Sequence, residues 1–414
     1  MLLKKYKIDT EENLQFLAEI RKNLLDFGKR FPSPAGSSYY LGEDGTPWTD
    51  RNRETWITGR MVHVYSIAEM LGEEGAAELA LAGIRGLMGE LKDSENGGFY
   101  AGVTAQGEPL ETKQCYAHAF VILAASSAVL AGIPEAKELL GEAISVFDRY
   151  FWQEETGLTM DTWDTGFTKP EPYRGLNANM HTVEAFLAAA DALGEEIYRE
   201  RAEEIIHHVI NWASKNEWRI PEHFSENWEP LYDFNKERQD DPFKPYGATP
   251  GHGIEWARLI TQWAVSVGRF FEYSRVAQCL YERAVMDAWN ADGAPGLVYT
   301  TNWQGTPVVH DRMHWTLAEA INTAAVLYRA TGEERYAADY EQFMRYLDEK
   351  VLDHENGSWF HQMDRSNRVI GTVWPGKSDL YHAFQATLIP YNNPAQSIAF
   401  AVYLKKRETA EKTD

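Results

Sequence analysis

The sequence predicts an all-α fold in which six helical hairpins close into one toroidal barrel, a single domain over residues 1–414. Three observations predict it. Apolar residues recur at three- and four-residue spacing in a series of Ala- and Leu-rich segments, the period of a helix with a packed face. Long alternation of the strand type is missing. Short loops that join Gly to aromatic or β-branched residues return at roughly 60-residue intervals, a spacing that marks repeated structural units.

The first helical face is Leu17, Ile20, Leu24 and Phe27, with Glu19, Arg21 and Lys22 on the other side. Further helical segments are read at residues 55–71, 75–92, 114–131, 135–150, 179–193, 197–213, 253–270, 274–289, 315–331, 334–350 and 380–404. The repeating loops are Tyr39-Tyr40-Leu41-Gly42, Gly97-Gly98-Phe99-Tyr100-Ala101, Gly157-Leu158-Thr159-Met160, Trp218-Arg219-Ile220, Gly296-Leu297-Val298-Tyr299 and Gly357-Ser358-Trp359-Phe360, with one longer gap before the fifth. An open solenoid of such units would need polar caps at its ends. Long, irregular repeats with elaborate aromatic loops on one side favour closure instead. The loops then gather at one mouth, where small molecules bind. No Pro/Gly/Ser linker divides the chain.

Composition narrows the partners. Lys and Arg number 40 against 62 Asp and Glu, a formal net charge of −22. Such a surface repels nucleic acid and anionic membranes, so neither is an expected partner. Cys115 and Cys279 lie far apart and outside any CxxC, which suits a reducing compartment. The first residues lack the apolar run and cleavage site of a signal peptide, and no stretch reaches the ~18 apolar residues of a spanning helix. The expectation is a cytoplasmic protein, monomer or homo-oligomer. Aromatic residues reach 13 %, and some, such as Trp359-Phe360, sit in Gly-containing loops where the flat face of a sugar stacks well.

Histidines carry the chemistry. His207, His208, His223, His310 and His354 lie in ordinary helical or polar loop context. His181, His252 and His382 each follow a Gly-, Pro- or Asn-containing loop at the expected start of a helix, where the helix dipole favours the neutral, basic imidazole. His181 with Glu184 and His252 with Glu255 share the spacing i, i+3, which puts a carboxylate on the imidazole's face. The same pairs are metal-ligand types, but HxxE without a third ligand motif is a weak metal signal. Arg60 sits within an otherwise apolar helix, where a charge needs a partner or a substrate. Tyr116 with His118, and Glu319 after Trp315, repeat that pattern, with a buried ion pair as the alternative. Asp161, Asp164, Glu255 and Glu319 are eligible as the carboxylate pair of a glycoside hydrolase. The mainly His and Arg set suits proton transfer beside a carbonyl better. No GxGxxG or Walker motif appears, so no nucleotide cofactor is expected.

Four motifs stand in order: Trp56-Ile57-Thr58-Gly59-Arg60-Met61-Val62-His63-Val64-Tyr65, Asn177-Ala178-Asn179-Met180-His181, Thr249-Pro250-Gly251-His252 with Glu255-Trp256, and Trp374-Pro375-Gly376-Lys377 through Tyr381-His382. With them the chain resembles the N-acylglucosamine 2-epimerase superfamily over nearly its whole length. The resemblance implies an (α/α)6 barrel that needs no cofactor and no metal. The Thr249-to-Trp256 motif is most similar to the aldose–ketose isomerase branch, that of mannose and sulfoquinovose isomerases. Sulfoquinovose isomerases hold the sulfonate with an Arg and two Gln, where Pro242, His361 and Ser378 stand here. That difference points to a neutral hexose, and so to interconversion of D-mannose and D-fructose through a cis-enediolate. Sugar 2-epimerisation or sulfoquinovose isomerisation on the same fold is the alternative. The resemblance implies that Arg60 holds substrate oxygens and His181 assists ring opening. It makes His252 and His382 the acid/base pair, with His382 taking the C2 proton and Glu255 orienting His252. Glu319 pairs with a catalytic His or a sugar hydroxyl, and Tyr116, Asn177, Trp315 and His361 line the pocket.

Overall fold

Residues 3–412 are described by the computed structural model. About half of the chain is helical, and its strands run two or three residues each. In chain order the helices are α1 (Glu11–Gly28), α2 (Thr55–Met70), α3 (Ala76–Met88), α4 (Cys115–Ala131), α5 (Ala136–Tyr150), α6 (Leu176–Leu193), α7 (Ile197–Ser214), α8 (Pro250–Ser266), α9 (Phe270–Ala288), α10 (His314–Thr331), α11 (Glu334–Tyr346), α12 (Tyr381–Ala386) and α13 (Ile398–Glu411). The chain forms two compact units. The first comprises Met1–Phe27, Ile206–Lys377 and His382–Ala395. The second comprises Gly28–Ile205, Ser378–Tyr381 and Gln396–Asp414.

Each unit alternates two kinds of helix. In the second unit α2 is buried without a break from Thr55 to Ala68, and in the first α8 is buried from Pro250 to Ala264. Helices α5, packed on α4, and α11, packed on α10, bury only a stripe: Ala136, Leu139, Leu140, Ala143 and Phe147 in one and Tyr336, Tyr340, Phe343, Met344 and Tyr346 in the other. That stripe at i, i+3 and i+4 is what the sequence period records. Helix α2 packs on α3 and α4, and α4 on α5 and α6. In the first unit α8 packs on α9 and α10, and α10 on α11. Gly59 lets α2 and α4 approach, because a Cβ there would lie 2.8 Å from the carbonyl oxygen of Phe120.

The recurrent loops are tight reversals after the one-sided helices. Lys92 bridges Phe99, Trp152 pairs with Thr159, Trp289 bridges Leu297 and Leu352 bridges Trp359, all antiparallel. Two of these turns are closed in the same way. Asp93 accepts from the N–H groups of Glu95 and Asn96, and the buried Lys113 ammonium donates to Asp93 (2.7 Å) and to the carbonyl of Gly97 (2.6 Å). Asp353 accepts from Glu355 and Asn356, and the buried Lys377 donates to Asp353 and to the carbonyl of Gly357 (3.0 Å). Gly97 and Gly357 take φ of 77° and 86°, the left-handed region open to glycine. Trp218-Arg219-Ile220 forms no strand; Arg219 pairs instead with Asp287 at 2.7 Å.

Two readings need correction. The expected helix over residues 380–404 is two helices, α12 and α13, because Pro390 and Pro394 lack an N–H and disfavour helical geometry before them. His181 is the sixth residue of α6, whose first turn starts at Leu176, so it lies beyond the turn in which the helix dipole acts. Cys115 and Cys279 are both free.

Candidate active site

The first unit builds a cluster around two imidazoles. Pro250 opens α8, where its missing N–H costs nothing, and puts His252 in the first turn. His252 Nδ1 lies 3.0 Å from Glu222 Oε2, and Glu222 is 5 % exposed. His382, second residue of α12, has Nδ1 2.9 Å from Oε1 of Glu319 on α10. A carboxylate accepting from Nδ1–H holds the tautomer that leaves Nε2 with the lone pair. Both imidazoles are therefore prepared to take or return a proton through Nε2. Trp315 meets both, its ring centroid 5.0 Å from His252 and 5.8 Å from His382. Gly251 makes room for that ring, since a Cβ there would come 2.8 Å from the indole.

Beneath these groups, Arg258 on α8 donates from Nε to Glu319 (2.7 Å), from one terminal nitrogen to Glu255 (3.2 Å) and from the other to Gln262 (3.0 Å). Glu255, Glu319 and His382 offer ligand-type atoms within 4.8 Å of one another. His361 stacks on His314, centroids 3.9 Å apart at 11°, and its carbonyl accepts from the His314 N–H. Gln362 accepts from the N–H groups of Val373 and Trp374 and donates to Asp311 and Thr372, which fixes the Trp374 segment.

In the second unit the central group is a cation. Arg60 on α2 donates to Asp379 (2.6 Å) and to the Tyr116 hydroxyl (2.9 Å). The guanidinium carbon lies 4.4 Å from the ring centre of Phe120, 4.7 Å from Tyr381 and 4.9 Å from Trp56. His181 stands 4.7 Å from Phe120 and 5.2 Å from Tyr116 between ring centres, with Nδ1 3.5 Å from Glu184. Glu184 also accepts from the Tyr381 hydroxyl. His63 shares a proton with the Ser127 hydroxyl at 2.7 Å, and burial pulls its pKa down to about 4. Asn177 is partly buried on the first turn of α6, its Oδ1 without a partner among the described residues.

Placement changes several roles. The carboxylate on His252 is Glu222, not Glu255: Glu255 sits one helical turn on and turns to Arg258, while Glu222 comes in from the loop before His223–Ser225. Arg60 already has a counter-ion in Asp379. His118 is structural, with Nδ1 donating to the Gln114 carbonyl and Nε2 accepting from the Phe99 N–H, and burial lowers its pKa to about 3. His207 and His223 bond to Tyr273 and to the Pro245 carbonyl. Sequence reasoning missed Glu222, Arg258, Gln362, Asp379 and Tyr381. Of these, Asp379 carried a usable signal, as a neighbour of His382.

Carboxylate-backed imidazoles in one unit and a paired arginine in the other are the kinds of group that enzymes moving protons on small polar substrates use. The chain belongs to the N-acylglucosamine 2-epimerase family, whose profile matches residues 36–386. It is 41 % identical over 389 residues to a D-mannose isomerase of Thermobifida fusca, covering 93 % of this chain and 95 % of that one. A D-mannose isomerase crystal structure superposes with a TM-score of 0.85 at 28 % identity, over 91 % of this chain and 97 % of the other. The cellobiose 2-epimerase of Spirochaeta thermophila superposes at 0.76 with 21 % identity, over 94 % and 98 %, a likeness of fold alone. The fold class is that of the all-α, (α/α)6 enzymes. No helix among the described residues is long and apolar enough to cross a membrane.

Proposed function

We propose that this enzyme is an aldose–ketose isomerase that interconverts D-mannose and D-fructose. The observation that carries the reading is the pair of imidazoles held at Nδ1 by buried carboxylates, His252 by Glu222 and His382 by Glu319, in a chain 41 % identical to a D-mannose isomerase. His382 Nε2 takes the C2 proton of open-chain mannose, and the electron pair forms the C1=C2 bond of a cis-enediolate. His252 moves the proton of the C2 hydroxyl to O1, and the C2 proton returns to C1, leaving the carbonyl at C2. Arg60 holds sugar oxygens, and His181 with Glu184 assists ring opening. Trp315 lends an apolar face, while Tyr116, Asn177 and His361 contact hydroxyls. Glu255 acts through Arg258 rather than on His252.

Pro242, His361 and Ser378, at the positions expected to meet a sulfonate, support a neutral hexose. A net charge of −22 fits a monosaccharide as partner rather than nucleic acid or membrane, and fits the cytoplasm as the place of work. On this reading residues 1–414 act as one catalytic domain.

The test is incubation with D-mannose in heavy water after dialysis against EDTA. Fructose should form at an undiminished rate, with deuterium at C1 to the extent that the base exchanges. No fructose, or a rate that returns only with added metal, overturns the reading. Glucose as the main product makes the enzyme a 2-epimerase.

A further inference from the structure

We infer that Arg258 is a positioning residue that stands in place of a metal ion: it fixes Glu319 against His382 and keeps Glu255, Glu319 and His382 from taking up a divalent cation. The part that concerns His382 rests on the proposed isomerase reading; the part that concerns metal does not.

The geometry is specific. Glu255 and Glu319 are both fully buried, and two buried carboxylates side by side are costly without a cation. Their oxygens and a ring nitrogen of His382 lie within 4.8 Å of one another. Two carboxylates and an imidazole at such spacing are a ligand set for zinc or manganese. Arg258, 1 % exposed, supplies the positive charge there. Its planar fork reaches Glu319 Oε2 through Nε and Glu255 Oε1 through a terminal nitrogen. By holding Oε2 of Glu319 it leaves Oε1 for His382 at 2.9 Å, so one carboxylate joins the fixed cation to the imidazole. Gln262, one turn further along α8, accepts from the remaining arm and completes the orientation. A lysine could supply the charge but not two donors in a fixed plane. The other imidazole offers a contrast: Glu222 makes its ion pair with His252, and no arginine among the described residues joins it. Arg258 thus belongs to one dyad alone.

The experiment compares the full-length enzyme with R258M, R258K and R258M/E319Q. Zinc binding is measured by calorimetry without sugar, and kcat and KM with mannose. R258M should take up one Zn²⁺ per chain at least roughly 100-fold more tightly than the parent, and E319Q should abolish that gain. Its kcat, measured metal-free, should fall roughly 10- to 100-fold with KM little changed, the scale of a lost orienting partner. R258K should lose kcat roughly 10-fold and gain no zinc site, since the charge stays and the fork goes. A folded R258M that binds zinc no better than the parent, or keeps kcat within about twofold, overturns the proposal. Where R258M does not fold, R258K decides, and an unchanged kcat sinks the positioning role. A parent enzyme inactive on mannose defeats the isomerase reading while the zinc measurement still judges Arg258.

Discussion

The two polar clusters obey opposite rules. In the first unit the central groups are imidazoles, each held by a carboxylate from a remote segment, Glu222 thirty residues from His252 and Glu319 sixty-three from His382. In the second the central group is a guanidinium boxed by the rings of Phe120, Tyr381 and Trp56 and balanced by Asp379. An arginine never gives up its proton, so this arrangement can only hold. An imidazole on a carboxylate changes charge during a reaction, and the carboxylate stabilises the charged form at that moment. His63 sharpens the lesson. It is as buried as His382, yet its partner is the Ser127 hydroxyl and its pKa is drawn down to about 4. Burial holds the His63 ring neutral down to about pH 4 even with Glu184 in its field; a carboxylate bonded directly to Nδ1, as Glu319 is to His382, stabilises the charged ring.

The strongest way to break this contrast is to exchange the two kinds of histidine. His382→Ala should lower kcat by roughly 1,000-fold, the range of a lost general base, in a mannose-to-fructose assay. His63→Asn should leave kcat within about threefold and act on stability instead. Equal losses in both variants would mean that the carboxylate does not distinguish them.

A smaller effect should appear in the pH dependence of unfolding. The folded enzyme keeps His63 neutral down to about pH 4, while the unfolded chain protonates it near 6.5. Between those values the unfolded state binds more protons, so stability is complete above pH 6.5 and declines as pH falls through the window. The loss attributable to His63 is about 3 kcal/mol by pH 4. His118, drawn down to about 3, adds to the same slope. Denaturant titrations at pH 7 and pH 5 should show a shallower fall in His63→Asn than in the parent. Identical slopes would show that His63 does not titrate between the two states.

The smallest effect tests the other dyad. Glu222→Gln keeps the shape of the side chain but removes its charge. It should cost about 10-fold in kcat with KM nearly constant, about 1.4 kcal/mol at the transition state. Steady-state kinetics with mannose decide. A loss wholly in KM would move Glu222 from orienting His252 to binding sugar.

The helices were legible because an α-helix writes its packing into a local period, although the segment read at 253–270 starts three residues late, since α8 opens at Pro250. The break between α12 and α13 did leave a local mark, Pro390 followed by the polar stretch Asn392-Asn393-Pro394, which the apolar period on either side outweighed. The imidazoles and Arg60 stood out by type and context. Their partners did not, because a carboxylate thirty or 319 residues away leaves no local spacing to read. The i, i+3 rule named Glu255 for His252 because it sees one helix only; the true partner arrives from a loop. Arg258 sits on one helical face with Glu255, Thr261 and Gln262, a pattern that reads as a solvated stripe until the structure shows the face buried.

The lysine-closed turns at Asp93 and Asp353 carry a consequence of their own. Each gathers carboxylate and carbonyl oxygens of the kind that would draw an ion from solution, and each fills the place with an ammonium tethered to the chain. The effective concentration of that cation is set by the covalent backbone, not by the medium. No dilution, dialysis or chelator can strip it out. Both turns should therefore keep their shape across changes in cellular ion content that would loosen a loop closed by calcium.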